Sequence, residues 1–182
     1  LVPLFANHVT ASRAHETLAR DFARDLLESV EPYGVLITAG DNDTFPLWYA
    51  QEVEGIRRDV TLANLSLMNT RWHLQQLRRR VTPEFNPATA APIWKDWKGV
   101  RPTAPALTLS EKDINEMPEA QVVPAHSGVK LGDVQVSFGQ DSILYLSDLM
   151  SVFLIRDNLG KRPVYFAWSD ADFPDRTLGL ST

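Results

Sequence analysis

Hydrophobic residues recur along this chain with the spacings of helices and of buried strands. Residues 12–30 carry apolar side chains every three to four positions with charged side chains between them, which predicts an amphipathic helix. The apolar run 35–39 then stops abruptly at a glycine, which predicts a buried strand. Residues 45–54 predict a short helix with Asp43 or Thr44 as its N-cap.

The same alternation continues further along the chain. Residues 59–67 are rich in side chains that suit a covered strand, and a helix is expected to start at residues 69–70. Near the C-terminal end, residues 148–158 predict a helix capped by Ser147, and residues 163–168 predict a third covered strand. This order of helices and strands indicates right-handed crossovers and a mainly parallel sheet. The predicted fold class is therefore α/β, a three-layer sandwich with helices on both faces of the sheet.

Residues 81–140 interrupt this order and are predicted to form an irregular, proline-rich insertion. Five prolines between residues 83 and 105 preclude regular elements over most of that stretch, so Trp94 and Trp97 are the expected anchors. Ser110 and Asp113 have the spacing of a capping box. Alternating apolar residues after a Gly-Asp turn at 132–133 predict a hairpin within the insertion.

The composition and charge of the chain disfavour several classes of function. A chain of 182 residues with 44% hydrophobic content fits one globular domain with a real core. The net charge of −5 provides no general basic field, which argues against nucleic acid as a partner. Cysteine is absent, and the four histidines lack ligand-like spacing, so thiolate chemistry and a zinc site are disfavoured.

Acidic residues follow two of the predicted strands. Asp41 and Asp43 come directly after the first strand, and Asp170 and Asp172 come directly after the third. Ligands of open α/β sheets bind beyond the carboxyl ends of the strands, so these carboxylates are expected to converge at one edge. The candidate ligand-binding residues are Asp41, Asn42, Asp43, Thr44, Trp48, Asn64, Asn69 and Asp170.

Clustered carboxylates without histidine or cysteine suit a hard cation such as Mg²⁺ or Ca²⁺, with Asp41 and Asp43 as its ligands, or the hydroxyl groups of a sugar. No cofactor is identified beyond that. Like charges gathered at one edge repel one another, so the cluster should bind something or recruit Arg57 or Arg58 as a counter-charge. The competing interpretation is that these residues only form turns and cap helices.

Residues 41–43 also match the Asp-x-Asp pattern with which GT-A-type glycosyltransferases hold a metal-bound nucleotide sugar. No glycine-rich phosphate loop accompanies the pattern, and the chain is short for that fold. A metal-dependent, sugar-handling enzyme therefore stays as an alternative hypothesis.

Residues 19–70, which contain the motif Asp41-Asn42-Asp43-Thr44, closely resemble a family of polytopic membrane proteins. The family is the transmembrane protein 260-like, protein O-mannosyltransferase-related family, also called domain of unknown function 2723. The resemblance resumes over residues 148–167, and residues 81–140 match only loosely.

The resemblance implies a preceding bundle of membrane helices of the GT-C glycosyltransferase type, which uses a lipid-linked sugar and contains the catalytic acids. Residues 1–182 are then one extracytoplasmic, or periplasmic, α/β domain, a fragment of a longer protein that begins without an initiator methionine. No catalytic residue is assigned to this chain.

The leading hypothesis is an accessory domain that binds acceptor polypeptide or glycan at the acidic edge, with the membrane-embedded part of the same polypeptide as its partner. A structural or assembly module without a ligand is the alternative from a different class.

Overall fold

The computed structural model of the chain describes residues 7, 11–12, 15–131, 134–137 and 142–167. Its helices, labelled α1 to α6 in chain order, are Leu18–Ser29, Asp41–Glu52, Leu65–Met68, Arg71–Arg79, Glu111–Glu116 and Leu146–Asn158. Its strands, β1 to β7, are Val35–Thr38, Thr61–Asn64, Ala120–Val123, Gly128–Leu131, Val134–Ser137, Ser142–Tyr145 and Val164–Phe166. No helix in the described part of the chain is long and apolar enough to span a membrane.

Three strands form a parallel sheet in the order β2-β1-β7. Val35 lies in the central strand and pairs with Thr61 on one side and with Val164 on the other. The predicted parallel arrangement of these strands is confirmed. Because β1 is central, β2 is one of the two edges of the sheet.

The two faces of the sheet bury different helices. Val35 and Ile37 point to a core that includes α3, α4, α5 and α6, whereas Leu36 and Leu62 point to a second core with α1 and α2. This division follows from the side-chain alternation of a strand, and full burial of each large aliphatic side chain contributes about 1.5–3 kcal/mol. Helices on both faces of a parallel sheet confirm the α/β class.

The element ends differ from the prediction in two places that matter for the site. β2 ends at Asn64 because the Asn64 side chain accepts a hydrogen bond from the Leu67 amide at 2.8 Å and starts α3. Helix α2 begins at Asp41 rather than at residue 45, and its N-cap is Gly40. The predicted N-cap, Asp43 or Thr44, was therefore wrong, since the Thr44 amide already donates to the Gly40 carbonyl at 3.2 Å.

The predicted cap of α6 was also wrong. Its N-cap is Tyr145 rather than Ser147, because the Asp148 carboxylate accepts a hydrogen bond from the Tyr145 amide at 2.9 Å. By contrast, the capping box of Ser110 and Asp113 is confirmed at the start of α5.

The segment between α4 and α5 has no strand and contains only a 3-10 turn at Pro92–Trp94. Its two tryptophans anchor it to the end of α1. The Trp94 indole donates to the Glu28 carbonyl at 2.7 Å, and the Trp97 indole donates to the Glu31 carboxylate at 3.1 Å. Beyond α5, β4 and β5 form the predicted antiparallel hairpin, whose turn residues 132–133 lie outside the described residues.

Candidate functional site

The first turn of α2 places Asp41, Asn42 and Asp43 at the carboxyl end of β1. Asp41 and Asn42 are exposed and Asp43 is half-buried. Carboxylates in the first turn of a helix interact favourably with its dipole, so the fold tolerates two of them there. We call these three residues the acidic edge.

Thr44 is buried directly beneath the acidic edge, at the centre of a hydrogen-bond network. Its hydroxyl lies 2.7 Å from the Gly40 carbonyl, 2.7 Å from the Thr38 hydroxyl and 2.7 Å from the Asn64 amide nitrogen. A hydroxyl has one donor and two acceptor positions, and this geometry uses all three. Thr44 therefore ties the ends of β1 and β2 to the start of α2, and its hydroxyl has no capacity left for a ligand.

The two predicted asparagines also have structural partners. Asn64 is 2% exposed, and its carboxamide bonds both Thr44 and the Leu67 amide. The Asn69 side-chain oxygen accepts a hydrogen bond from the Ser147 amide at 3.1 Å, which connects α3 to the start of α6. Of the predicted site residues, the structure thus brings Thr44 and Asn64 together with the acidic edge and directs Asn69 to α6.

Asp170, which the sequence predicts at the same edge, and its neighbour Asp172 lie outside the described residues. Within the described part of the chain, no group of three or more histidine, aspartate or glutamate side chains is arranged to hold a metal ion. A cation bound by Asp41 and Asp43 stays a prediction.

The predicted arginine counter-charges lie elsewhere. Arg57 forms a bidentate pair with Asp59, with both nitrogen–oxygen distances 3.0 Å, and Arg58 pairs with Glu52 at 3.3 Å. Both pairs sit near the amino end of β2, the opposite end of the sheet from Gly40. The expectation that either arginine compensates the acidic edge was therefore wrong.

Trp48, the remaining predicted residue, lines an open cavity of about 880 Å³ beside β2. We call this cavity the β2 groove. Its walls come from α2 and α4, which pack on opposite faces of the sheet, and Leu62 of the edge strand lies between them. The lining residues are Trp48, Gln51, Glu52, Leu62, Trp72, His73, Gln75, Gln76, Leu77, Arg79 and Arg80.

Side chains cover part of the open edge of β2. Because the Thr61 amide donates to the Gly34 carbonyl, the backbone groups of Val60, Leu62 and Asn64 face away from β1. The Val60 carbonyl accepts from Gln51 at 2.9 Å and from Arg80 at 3.4 Å, and the Asn64 amide donates to His73 Nε2 at 3.4 Å. Leu62 lies between Val60 and Asn64, and no side chain of the described residues covers its backbone groups in this way.

Three residues of the β2 groove have buried nitrogen atoms without a hydrogen-bond partner among the described residues. These atoms are His73 Nδ1, Gln75 Nε2 and Arg80 Nε. Burial lowers the pKa of His73, against a smaller opposing effect of its side-chain hydrogen bond with Gln76, and burial also lowers the pKa of Arg80. Unpaired polar groups of this kind are uncommon in folded proteins and call for a physical explanation.

The sequence did not identify most of this groove. Trp48 and Trp72 stand out as aromatics near the sheet edge, but nothing in their spacing indicates that they share a cavity with Gln75 and Arg80. One local signal was available. His73, between Trp72 and Leu74, is a polar residue at a helical position that faces the core.

Comparison with known proteins gives a family match in the first half of the chain. The family model described as TMEM260-associated domain 2 matches residues 19–98, which include the acidic edge and all the lining residues of the β2 groove. No solved structure matches the chain.

A curated relative, protein O-mannosyl-transferase TMEM260 of Mus musculus, is 26% identical over 130 residues. The match covers 71% of this chain and 18% of the mouse protein, so the chain spans less than a fifth of that relative. Both matches confirm the resemblance seen in the sequence. They support a TMEM260-related domain, and the family model itself covers residues 19–98, less than half of the chain.

Proposed function

We propose that this chain is a non-catalytic accessory domain of a membrane glycosyltransferase, and that it binds acceptor polypeptide at the acidic edge. Its partner is the membrane-embedded part of the same polypeptide, and it lies on the extracytoplasmic side. The proposal draws on the mouse relative, whose name gives it as an O-mannosyltransferase and of which this chain matches a small part.

The observation that carries the proposal is the placement of two carboxylates, of exposed Asp41 and half-buried Asp43, in the first turn of α2 at the carboxyl end of β1. The buried Thr44 network holds them in place at the carboxyl end of β1, where ligands of α/β sheets bind. Two carboxylates complement a polypeptide that carries lysine or arginine better than they complement a neutral glycan, so the acceptor polypeptide is the favoured ligand.

A structural or assembly module is the second candidate. It is favoured by the use of Thr44, Asn64 and Asn69 for internal hydrogen bonds, which leaves the motif with fewer groups for a ligand than the sequence suggests. The enzyme alternative has less support, because the described residues provide no cluster of three metal-ligating side chains.

The two candidates are separated by a binding experiment with a fluorescent serine- and threonine-rich peptide that carries lysines. We expect the chain to bind this peptide in a salt-dependent manner, and the double variant Asp41→Asn and Asp43→Asn to weaken binding by about tenfold, or about 1.4 kcal/mol. The double variant Asp21→Asn and Asp25→Asn is the matched control, since it removes the same charge from exposed positions of α1.

Equal weakening by both double variants, or no binding at all, would leave the structural module as the better candidate. The same preparation is assayed for transfer from lipid-linked and nucleotide sugars. We expect none, and transfer that disappears with Asp43→Asn would instead establish the enzyme alternative.

A further inference from the structure

The β2 groove contains aromatic side chains, which the acidic edge lacks. It places two tryptophans, one on each helical wall, beside amide and guanidinium groups. Trp72 is 51% exposed, and its ring contacts His73 edge to face at a centroid distance of 5.5 Å. Exposed indole rings of this kind combine an apolar face with a polar edge, which suits ligands that have both kinds of surface.

The hydrogen-bond roles of the three unpartnered nitrogens can be assigned. His73 Nε2 accepts from the Asn64 amide, so in the neutral ring Nδ1 carries the hydrogen. Gln75 Oε1 accepts from Arg78 at 3.2 Å, which leaves its amide nitrogen as the unpartnered end. Arg80 Nε is always a donor. All three are therefore donors; His73 also has a side-chain hydrogen bond with Gln76, and the nitrogens of Gln75 and Arg80 are buried in the wall of the groove.

A ligand for this groove must consequently be rich in oxygen acceptors and must also offer an apolar face to tryptophan. Two classes meet the first requirement, an extended polypeptide added to the edge of β2 and a saccharide. Strand addition depends on a run of free backbone groups along the edge. The Val60 carbonyl and the Asn64 amide already have hydrogen bonds to the side chains of Gln51, Arg80 and His73. A peptide strand would therefore find free backbone groups at Leu62 alone among these positions.

A saccharide does not depend on free backbone groups. Its hydroxyl groups both donate and accept, and its C–H faces pack on aromatic rings. A cavity of about 880 Å³ lies in the range of small-ligand sites. Of the charged lining groups, Arg79 and Glu52 pair with Glu111 and Arg58, and Arg80 donates to the carbonyls of Arg58 and Val60, which favours a neutral ligand over an ionic one.

We propose that the β2 groove is a binding site for a neutral oligosaccharide, with Trp72 and Trp48 stacking on sugar rings and Gln75 donating to ring or hydroxyl oxygens. This inference goes beyond the acceptor-polypeptide function and does not rest on it, because it uses different residues. It gives the TMEM260-related domain a second ligand class, distinct from the polypeptide proposed for the acidic edge.

The test uses the isotope-labelled chain and three neutral trisaccharides, namely mannotriose, maltotriose and chitotriose, observed by NMR. We expect at least one of them to shift the indole N–H signals of Trp48 and Trp72 in a saturable manner, with a Kd near or below about 1 mM. The Trp72→Ala variant should raise that Kd about tenfold or more.

The matched control is Tyr49→Ala. Tyr49 is an aromatic residue of α2 with 50% exposure that does not line the groove, so its removal should change the Kd by less than about twofold. Gln75→Leu, which keeps the size of a half-buried side chain and removes the donor, should weaken binding without unfolding the chain, as thermal melting would verify.

Three results would overturn the proposal. One is the absence of saturable shifts with all three trisaccharides, and another is equal weakening by Trp72→Ala and Tyr49→Ala. The third is that an alternating threonine–valine peptide shifts the Leu62 amide signal while the trisaccharides do not, which would identify the groove as a strand-addition site instead. Peptide binding at the acidic edge is measured separately, so failure of one proposal does not decide the other.

Discussion

His73 connects the core to the β2 groove at the scale of a single residue. It is 3% exposed, and its Nε2 accepts a backbone hydrogen bond at the end of β2, so the folded state holds the neutral ring. Burial lowers its pKa from the ordinary value of 6.5, whereas the unfolded chain titrates near that value. Below pH 6.5 the unfolded state therefore binds a proton that the folded state does not.

We expect the free energy of unfolding to fall as the pH decreases from about 7 to 5, by up to about 1.4 kcal/mol per pH unit from this group. The His73→Gln variant keeps an acceptor near the Nε2 position and should show a flatter pH dependence in urea unfolding. His15→Gln, at an exposed position, should follow the parent curve. Parallel curves for the parent and His73→Gln would contradict this account.

At the scale of secondary-structure elements, the Thr44 hydroxyl joins two strands to a helix. Thr44→Val keeps the shape of the side chain but removes the hydroxyl that bonds Thr38, and it leaves the Asn64 side-chain nitrogen with only the Gly40 carbonyl, at 3.5 Å. Each orphaned buried group costs about 1–3 kcal/mol, so we expect a loss of at least about 2 kcal/mol in the free energy of unfolding. Thr44→Ser should lose only about 0.8 kcal/mol for the missing methyl group.

Equal destabilisation by the serine and valine variants would show that packing, and not the hydroxyl, makes Thr44 important. The outcome also bears on the acidic edge. If the valine variant weakens peptide binding more than the serine variant does, the network positions Asp41 and Asp43 as well as stabilising the fold.

At the scale of the whole molecule, the buried pair of Arg57 and Asp59 joins parts that are distant in sequence. Arg57 donates to the Leu27 carbonyl at the end of α1 and lies over the Phe85 ring, and Asp59 accepts from the Tyr33 amide. The side chains are 2% and 3% exposed, and without Asp59 the buried Arg57 would keep only Glu28, at 3.8 Å, as a counter-charge.

We expect Asp59→Ala to lower the free energy of unfolding by about 3–5 kcal/mol, as measured in urea. Glu52→Ala breaks the exposed pair with Arg58, whose side chains are 54% and 53% exposed, and should cost no more than about 1 kcal/mol. Similar losses for the two variants would contradict the role assigned to the buried pair.

The sequence predicted correctly those features of the fold that local chemistry determines. Apolar spacing predicts α1, β1 and β7 because a side chain's burial depends on the face of its own element, and capping signals predict α2. Their order predicts the parallel sheet because crossovers are right-handed. The ends of elements were harder, as with the caps at Gly40 and Tyr145, since several polar residues in a row compete for the same amide groups.

Of the candidate site, the sequence predicted the position of Asp41, Asn42 and Asp43 at a strand end. It did not show that Thr44 and Asn64 bond each other, because that contact joins residues 20 positions apart. It assigned Arg57 to the wrong neighbourhood because the position of that side chain depends on the Leu27 carbonyl and the Phe85 ring, which are distant in sequence.

The sequence by itself thus determined the fold class, the resemblance to the TMEM260-related family and the presence of acid at a strand end. Only the tertiary structure decided that β2 lies at the sheet edge, with α2 and α4 on either side of it, and that their side chains form a groove with unpartnered donors. The physical reason is that periodicity reports whether a residue is buried, whereas a binding site depends on which distant residues meet there.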